Sequence, residues 1–150
     1  MNIQRLIILR DFLVALPEEA VDLEDWVSDL RLNESCGTIA CAVGWAAQIP
    51  AFNAEGLTLH GWCPMFTDKS LSPDDYGHAT DSWGAVTKFF GLSLEQAHGL
   101  FDGKFMYDGC QGSKVYHDIR GKAFEEPIMT RPCDRDIVVE RLTRFINQNQ

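Results

Sequence analysis

The chain is short of positive charge. Thirteen Lys and Arg stand against 22 Asp and Glu in 150 residues, a formal net charge of −9. A general affinity for phosphate backbones or anionic membranes is therefore not expected, and direct nucleic-acid binding least of all. Long hydrophobic runs are also missing, since no stretch approaches the ~20 apolar residues that span a bilayer. The N-terminus, Met1 to Asp11, has a short apolar run, but Arg10 and Asp11 interrupt it. No small-residue cleavage site follows, so it does not read as a signal peptide. Cysteine pairing has no even count to work with. Five cysteines cannot form a fully paired secreted framework without an intermolecular bond. Repeats and low-complexity tracts are absent too. Together these absences predict a soluble protein of a reducing cytoplasm.

What is present suffices for one compact domain over residues 1–150, because 45% of the residues are hydrophobic. Leu6, Ile7, Leu9, Leu13 and Val14 keep helical spacing up to Pro17. A short helix is predicted behind Asp22, from Leu23 to Leu30, with Trp26, Val27 and Leu30 on one stripe. The small-residue segment that follows predicts a buried central helix over about 38–49, stopped by Pro50. Residues 51–79 read as irregular, with Leu57–His60 as a small strand or hairpin arm. Asp81 or Ser82 opens the next helix, which turns Trp83, Val86, Phe89 and Phe90 inward. Gly91 suits its left-handed cap, and Ser93 with Gln96 forms a capping box for a helix through Phe101. Residues 102–132 read as loop, apart from a turn or two near Val115, Tyr116 and Ile119. Asp134 caps a final helix striped by Ile137, Val138, Leu142, Phe145 and Ile146. The expected fold class is all-α, about six helices with at most a small β-hairpin.

Within the central segment stands Cys36-Gly37-Thr38, then Cys41, then Gly44-Trp45-Ala46, preceded by Trp26 and followed by Phe90-Gly91-Leu92 and Leu100-Phe101. This pattern resembles an uncharacterised family of small bacterial and phage proteins whose hallmark reads Cys-Gly-Thr-x-x-Cys-x-x-Gly-Trp-Ala. The resemblance implies a bacterial or phage setting and a helical fold. It carries over no catalytic residue.

Physically, the hallmark admits several readings. The structural one leads: Thr38 caps the helix start, Gly37 allows a sharp entry, and Ala40, Gly44 and Ala47 let neighbours approach. Trp45 fills the space beside them, its indole N–H needing one partner, and Cys36 and Cys41 act as small hydrophobes. A cysteine hydrolase would use Cys36, its thiol acidified at the helix N-terminus. That chemistry needs an oriented histidine base, and His60, His78, His98 and His117 sit in no recognisable motif. A structural zinc module would draw on Cys36, Cys41, His60 and Cys63, a C-x4-C and an H-x2-C pair. On a continuous helix, however, Cys36 and Cys41 stand about 140° apart. Trp83–Phe101 imitates a helix-turn-helix, but its second helix lacks the Lys or Arg that phosphates require.

Between Pro17 and Glu34, seven acidic residues face one base, Arg31. Glu18, Glu19, Asp22, Glu24, Asp25 and Asp29 form the candidate contact surface for a protein partner with a basic surface. The plainer alternative is a solvated face that maintains solubility. Trp62, Phe66, Tyr76, Phe105, Met106 and Tyr107 are candidate aromatic or apolar anchors, about half of them expected to cover the core instead. The functional expectation is a small acidic accessory protein that binds another protein, as a phage-encoded inhibitor or modulator of a host or defence component. No cofactor is expected, and a homodimer is compatible with the pattern.

Overall fold

The computed structural model describes residues 1–23, 27–28, 39–61, 63–68, 79–101 and 133–150. Helix α1 (Ile3–Val14) opens at Asn2, whose side chain accepts from the Arg5 N–H at 3.2 Å. It buries Leu6, Leu9 and Leu13 along one stripe. A 3₁₀ turn at Glu18–Ala20 follows. Strand β1 (Val27–Ser28) then pairs antiparallel with β2 (Ile39–Ala40). The helix expected over Leu23–Leu30 therefore does not run through Val27 and Ser28.

The central helix is also shorter than its small-residue composition suggested. Ile39 and Ala40 are strand, and helix α2 covers only Ala42–Ala46. Ala40 has backbone partners on both sides: β1 across the antiparallel pair, and Val21 through a parallel bridge with the Asp22 N–H donating to its carbonyl at 3.2 Å. These pairings outweigh a helix propensity worth a few tenths of a kcal/mol per residue. Cys41, rather than Thr38, caps the helix, its extended backbone placing Sγ to accept from the Gly44 N–H at 3.4 Å. Pro50 starts helix α3 (Pro50–Ala54) as well as ending the segment before it. It forces Ile49 out of the helical region (φ −71°, ψ 120°) and serves at the first helical turn, where no N–H is required.

Strands β3 (Leu57–His60), β4 (Cys63–Thr67) and β5 (Ala79–Asp81) form an antiparallel sheet in that order. The predicted hairpin arm is thus part of a three-stranded sheet. Leu57 pairs with Phe66 and His60 with Cys63, while Met65 lies opposite Asp81. Gly56 brings the chain into β3 with φ +105°, and a Cβ there would lie 2.1 Å from the Thr67 carbonyl oxygen. A Gly56→Ala substitution is therefore expected to destabilise the protein by about 1–3 kcal/mol in denaturant unfolding.

Helix α4 (Ser82–Phe90) buries Ala85, Val86, Phe89 and Phe90 and ends on Gly91 in the left-handed region (φ 64°). Helix α5 (Leu94–Phe101) begins with the predicted reciprocal box. Ser93 N–H donates to Gln96 Oε1 at 2.9 Å, and Gln96 N–H to Ser93 Oγ at 3.1 Å. Helix α6 (Asp134–Asn149) buries Ile137, Val138, Leu142 and Ile146 and packs most extensively against α1. Cys133, not Asp134, is its N-cap residue. The Asp134 carboxylate instead accepts from the Leu23 N–H at 2.9 Å.

The result is a mostly helical fold with a small sheet and one core cluster. That cluster joins α1, α4, α5 and α6 to α2, α3 and the inner face of the sheet. At its centre Phe89 meets Phe52 and Phe90 with ring centroids 5.0 Å apart, and Phe66 at 5.5 Å.

Candidate functional site

The acidic segment and the start of α6 come together around one base. Packing of the 3₁₀ turn on α6 places the Arg135 guanidinium beside the chain that leaves α1. Its Nη1 donates to the Leu16 carbonyl at 2.9 Å. Its Nη2 lies 3.3 Å from Glu18 Oε1 and 2.8 Å from Asp136 Oδ1. The Asp134 contact to Leu23 ties the neighbouring stretch of chain to the same place. Arg135 thus joins Glu18 to Asp136, and Asp134 ties the chain next to Asp22. Both α6 acids sit in its first turn, where the helix dipole favours carboxylates. Reading the chain in order placed Asp134 and Asp136 far from this segment. Their only signal was a pair of acids opening a strongly striped helix.

Cys133 stands at the edge of this cluster. Its sulfur and the carboxylate oxygens of Glu18 and Asp136 all lie within 4.8 Å of one another. Partial burial raises the thiol pKa, and the Asp136 carboxylate adds to that effect, against the opposing pull of the Asp136 N–H. The thiol is therefore held protonated, the opposite of what a nucleophile needs. The hydrogen bond from Arg135 to Asp136 in turn raises the Arg135 pKa. A divalent cation could reach the three donors only by displacing a guanidinium that already bridges the two carboxylates. The group behaves as an ion-pair network.

The hallmark residues divide between packing and undescribed segments. Trp26, Cys36, Gly37 and Thr38 lie outside the described residues, as do Glu24, Asp25 and Asp29. Cys41 and Gly44 are buried in the central packing. Trp45 is half-buried, its indole donating to the Ala20 carbonyl at 2.8 Å and its ring 6.1 Å from that of Phe12. The partner that its N–H required is therefore supplied by the backbone just after Glu19.

The proposed zinc donors are distributed differently from one another. Cys41 faces the core, whereas His60 and Cys63 are exposed at the tip of the β3–β4 hairpin. Among the described residues, the trio of His, Cys, Asp or Glu donors within mutual reach is the Glu18 group, without Cys41, His60 or Cys63. His98 is half-buried, its ring centroid 4.0 Å from that of Trp83. Of the anchor candidates, Phe66 is buried in the core. Trp62, Tyr76, Phe105, Met106 and Tyr107 lie outside the described residues.

The fold and this cluster define a mostly helical domain with an acidic corner where the 3₁₀ turn meets α6. Among the described residues, no helix is long and apolar enough to cross a membrane. Comparison with known proteins finds no family model, no curated protein and no solved structure that matches the chain.

Proposed function

We propose that the chain is a small acidic accessory protein that engages a basic surface of another protein through this corner. The observation that carries the reading is that Arg135 draws the carboxylates of Glu18 and Asp136 together, while Asp134 holds the Leu23 N–H beside Asp22. Such a concentration of one sign steers a basic partner toward the surface and sets its register. The proposed contact surface comprises Glu18, Glu19, Asp22, Glu24, Asp25 and Asp29, together with Asp134 and Asp136 of α6. In the bacterial and phage setting implied by the hallmark, the role is that of an inhibitor or modulator of a host or defence component.

Glu19 is exposed and takes no part in the Arg135 contacts described above, so it can be reversed without removing the ion pairs that join the turn to α6. A Glu19→Lys, Glu24→Lys, Asp25→Lys triple variant is expected to bind the stoichiometric partner isolated with the tagged chain at least about tenfold more weakly. Raising salt from 0.05 to 0.5 M should weaken the wild-type complex in the same direction, because exposed charges are screened. Unchanged affinity in a folded variant, measured by calorimetry or interferometry, overturns the proposal.

A further inference from the structure

We infer that the outer face of the β3–β4 hairpin is a binding site for a soft monovalent metal ion, copper(I), with Cys63, Met65 and His60 as donors. Strand alternation sorts the side chains of the hairpin onto two faces. Leu57, Pro64 and Phe66 are buried, and together with Leu59 they form the inner face of the hairpin. The alternate positions Thr58, His60, Cys63, Met65 and Thr67 therefore share the outer face. On that face His60 and Cys63 are exposed and Met65 is half-buried.

Register then sets the spacing. His60 is directly opposite Cys63, and Met65 occupies the next outward position beyond Cys63, opposite Thr58. Directly opposed Cβ atoms stand about 5 Å apart, and diagonal ones about 7–8 Å. Two residues along a strand cover roughly 6.6 Å. A cysteine, an imidazole and a flexible thioether at these separations can converge on one ion above the sheet. Gly61 turns the chain between the strands with φ 59°, closing the hairpin immediately beside the donors.

The donor chemistry selects the ion. Thiolate, thioether and imidazole together are a soft set, suited to copper(I) with its low coordination number. Zinc gains little from a thioether and seeks four nitrogen, sulfur or carboxylate donors. Calcium and magnesium require oxygen ligands, and on this face Asp81 supplies a carboxylate only on the far side of Met65. On binding, the Cys63 thiol releases its proton to solvent and the thiolate donates to the ion, with no change of oxidation state. The site is independent of the acidic corner.

The test is anaerobic titration of the reduced full-length protein with copper(I) in competition with a chromogenic copper(I) chelator, beside a parallel zinc(II) titration. Cys63→Ser is expected to remove one equivalent of tightly held copper while leaving the far-UV circular dichroism unchanged. Met65→Leu and His60→Ala should each weaken that equivalent by at least about tenfold, since even residues that only support a metal ligand are worth 10- to 100-fold. Met65→Leu should leave zinc(II) binding as it is in wild type. Copper stoichiometry and affinity unchanged in Cys63→Ser overturn the site. A full effect in Cys63→Ser with none in Met65→Leu overturns the copper(I) assignment, because Cys63 would then bind as an ordinary exposed thiol.

Discussion

Replacing Phe89 by alanine should cost about 4 kcal/mol, measured by denaturant unfolding. Phe89 is fully buried where the sheet meets the helices. Its ring makes edge contacts with Phe52, Phe66 and Phe90. Removing it opens a cavity lined by three other aromatic rings, which are too rigid to collapse into it. The loss also reaches the surface. The Arg5 guanidinium lies 4.0 Å from the centroid of the same ring, donates to the Phe89 carbonyl, and holds Glu55 at 2.6 Å through Nε. That arrangement spans α1, the end of α3 and α4, so a missing ring loosens three elements together. A domain of this size has roughly 5–15 kcal/mol in hand, and the midpoint of thermal unfolding should fall by about 10 °C or more. Phe89→Leu, which keeps much of the volume, should recover at least half of the loss. A Phe89→Ala variant within about 1 kcal/mol of wild type would mean that this aromatic group is not the centre of the core.

Arg141 provides the second large effect, for a different reason. It is the one charged side chain among the described residues that is buried, at 1% exposure, and it stands within the apolar stripe of α6. Its Nη1 donates to the Leu100 carbonyl at 3.2 Å, near the C-terminal end of α5. Carbonyls in the last turn of a helix have no partner within the helix, and the local dipole favours a cation. The Arg141 stem packs as a hydrophobe while its head satisfies that helix end. Arg141→Ala should therefore cost about 4 kcal/mol, combining a cavity with a carbonyl stripped of its donor. Arg141→Met keeps the stem and loses only the head, so it should cost roughly half as much. Equal losses in the two variants would assign the whole effect to the guanidinium. A negligible loss in both would show that α5 and α6 do not depend on this contact.

How much of this was legible in the chain varies with the range of the signal. The Ser93–Gln96 box, the left-handed Gly91 and the stripes of α1 and α6 follow from contacts within a few residues. Their physics is complete in the local sequence, and each is found where the spacing placed it, except that Val14 of the expected α1 stripe is exposed at the end of the helix. The small-residue segment behaved otherwise. Its composition suits a helix, but Ile39 and Ala40 were claimed by the backbones of β1 and Val21, partners that no local pattern announces. Arg141 shows the same limit in a side chain. One arginine inside an apolar stripe could be an interruption of the stripe or a buried head with a distant acceptor, and only the position of α5 distinguishes them.

The candidate sites follow this division. The acidic run beginning at Glu18 is evident from composition alone, as is the H-x2-C pair of His60 and Cys63. Asp134, Arg135 and Asp136 join the first only because the 3₁₀ turn packs on α6. Met65 joins the second only through the register of β3 against β4. The sequence by itself determined a mostly helical chain, the Ser93–Gln96 box and the Gly91 cap, most of its apolar stripes and its excess of negative charge, all properties of short-range sterics and residue chemistry. The tertiary structure decided which backbones pair, which arginine is buried, and which distant carboxylates and soft donors share a face. Those outcomes depend on close packing between segments remote in sequence, and no local preference of about 1 kcal/mol can specify it.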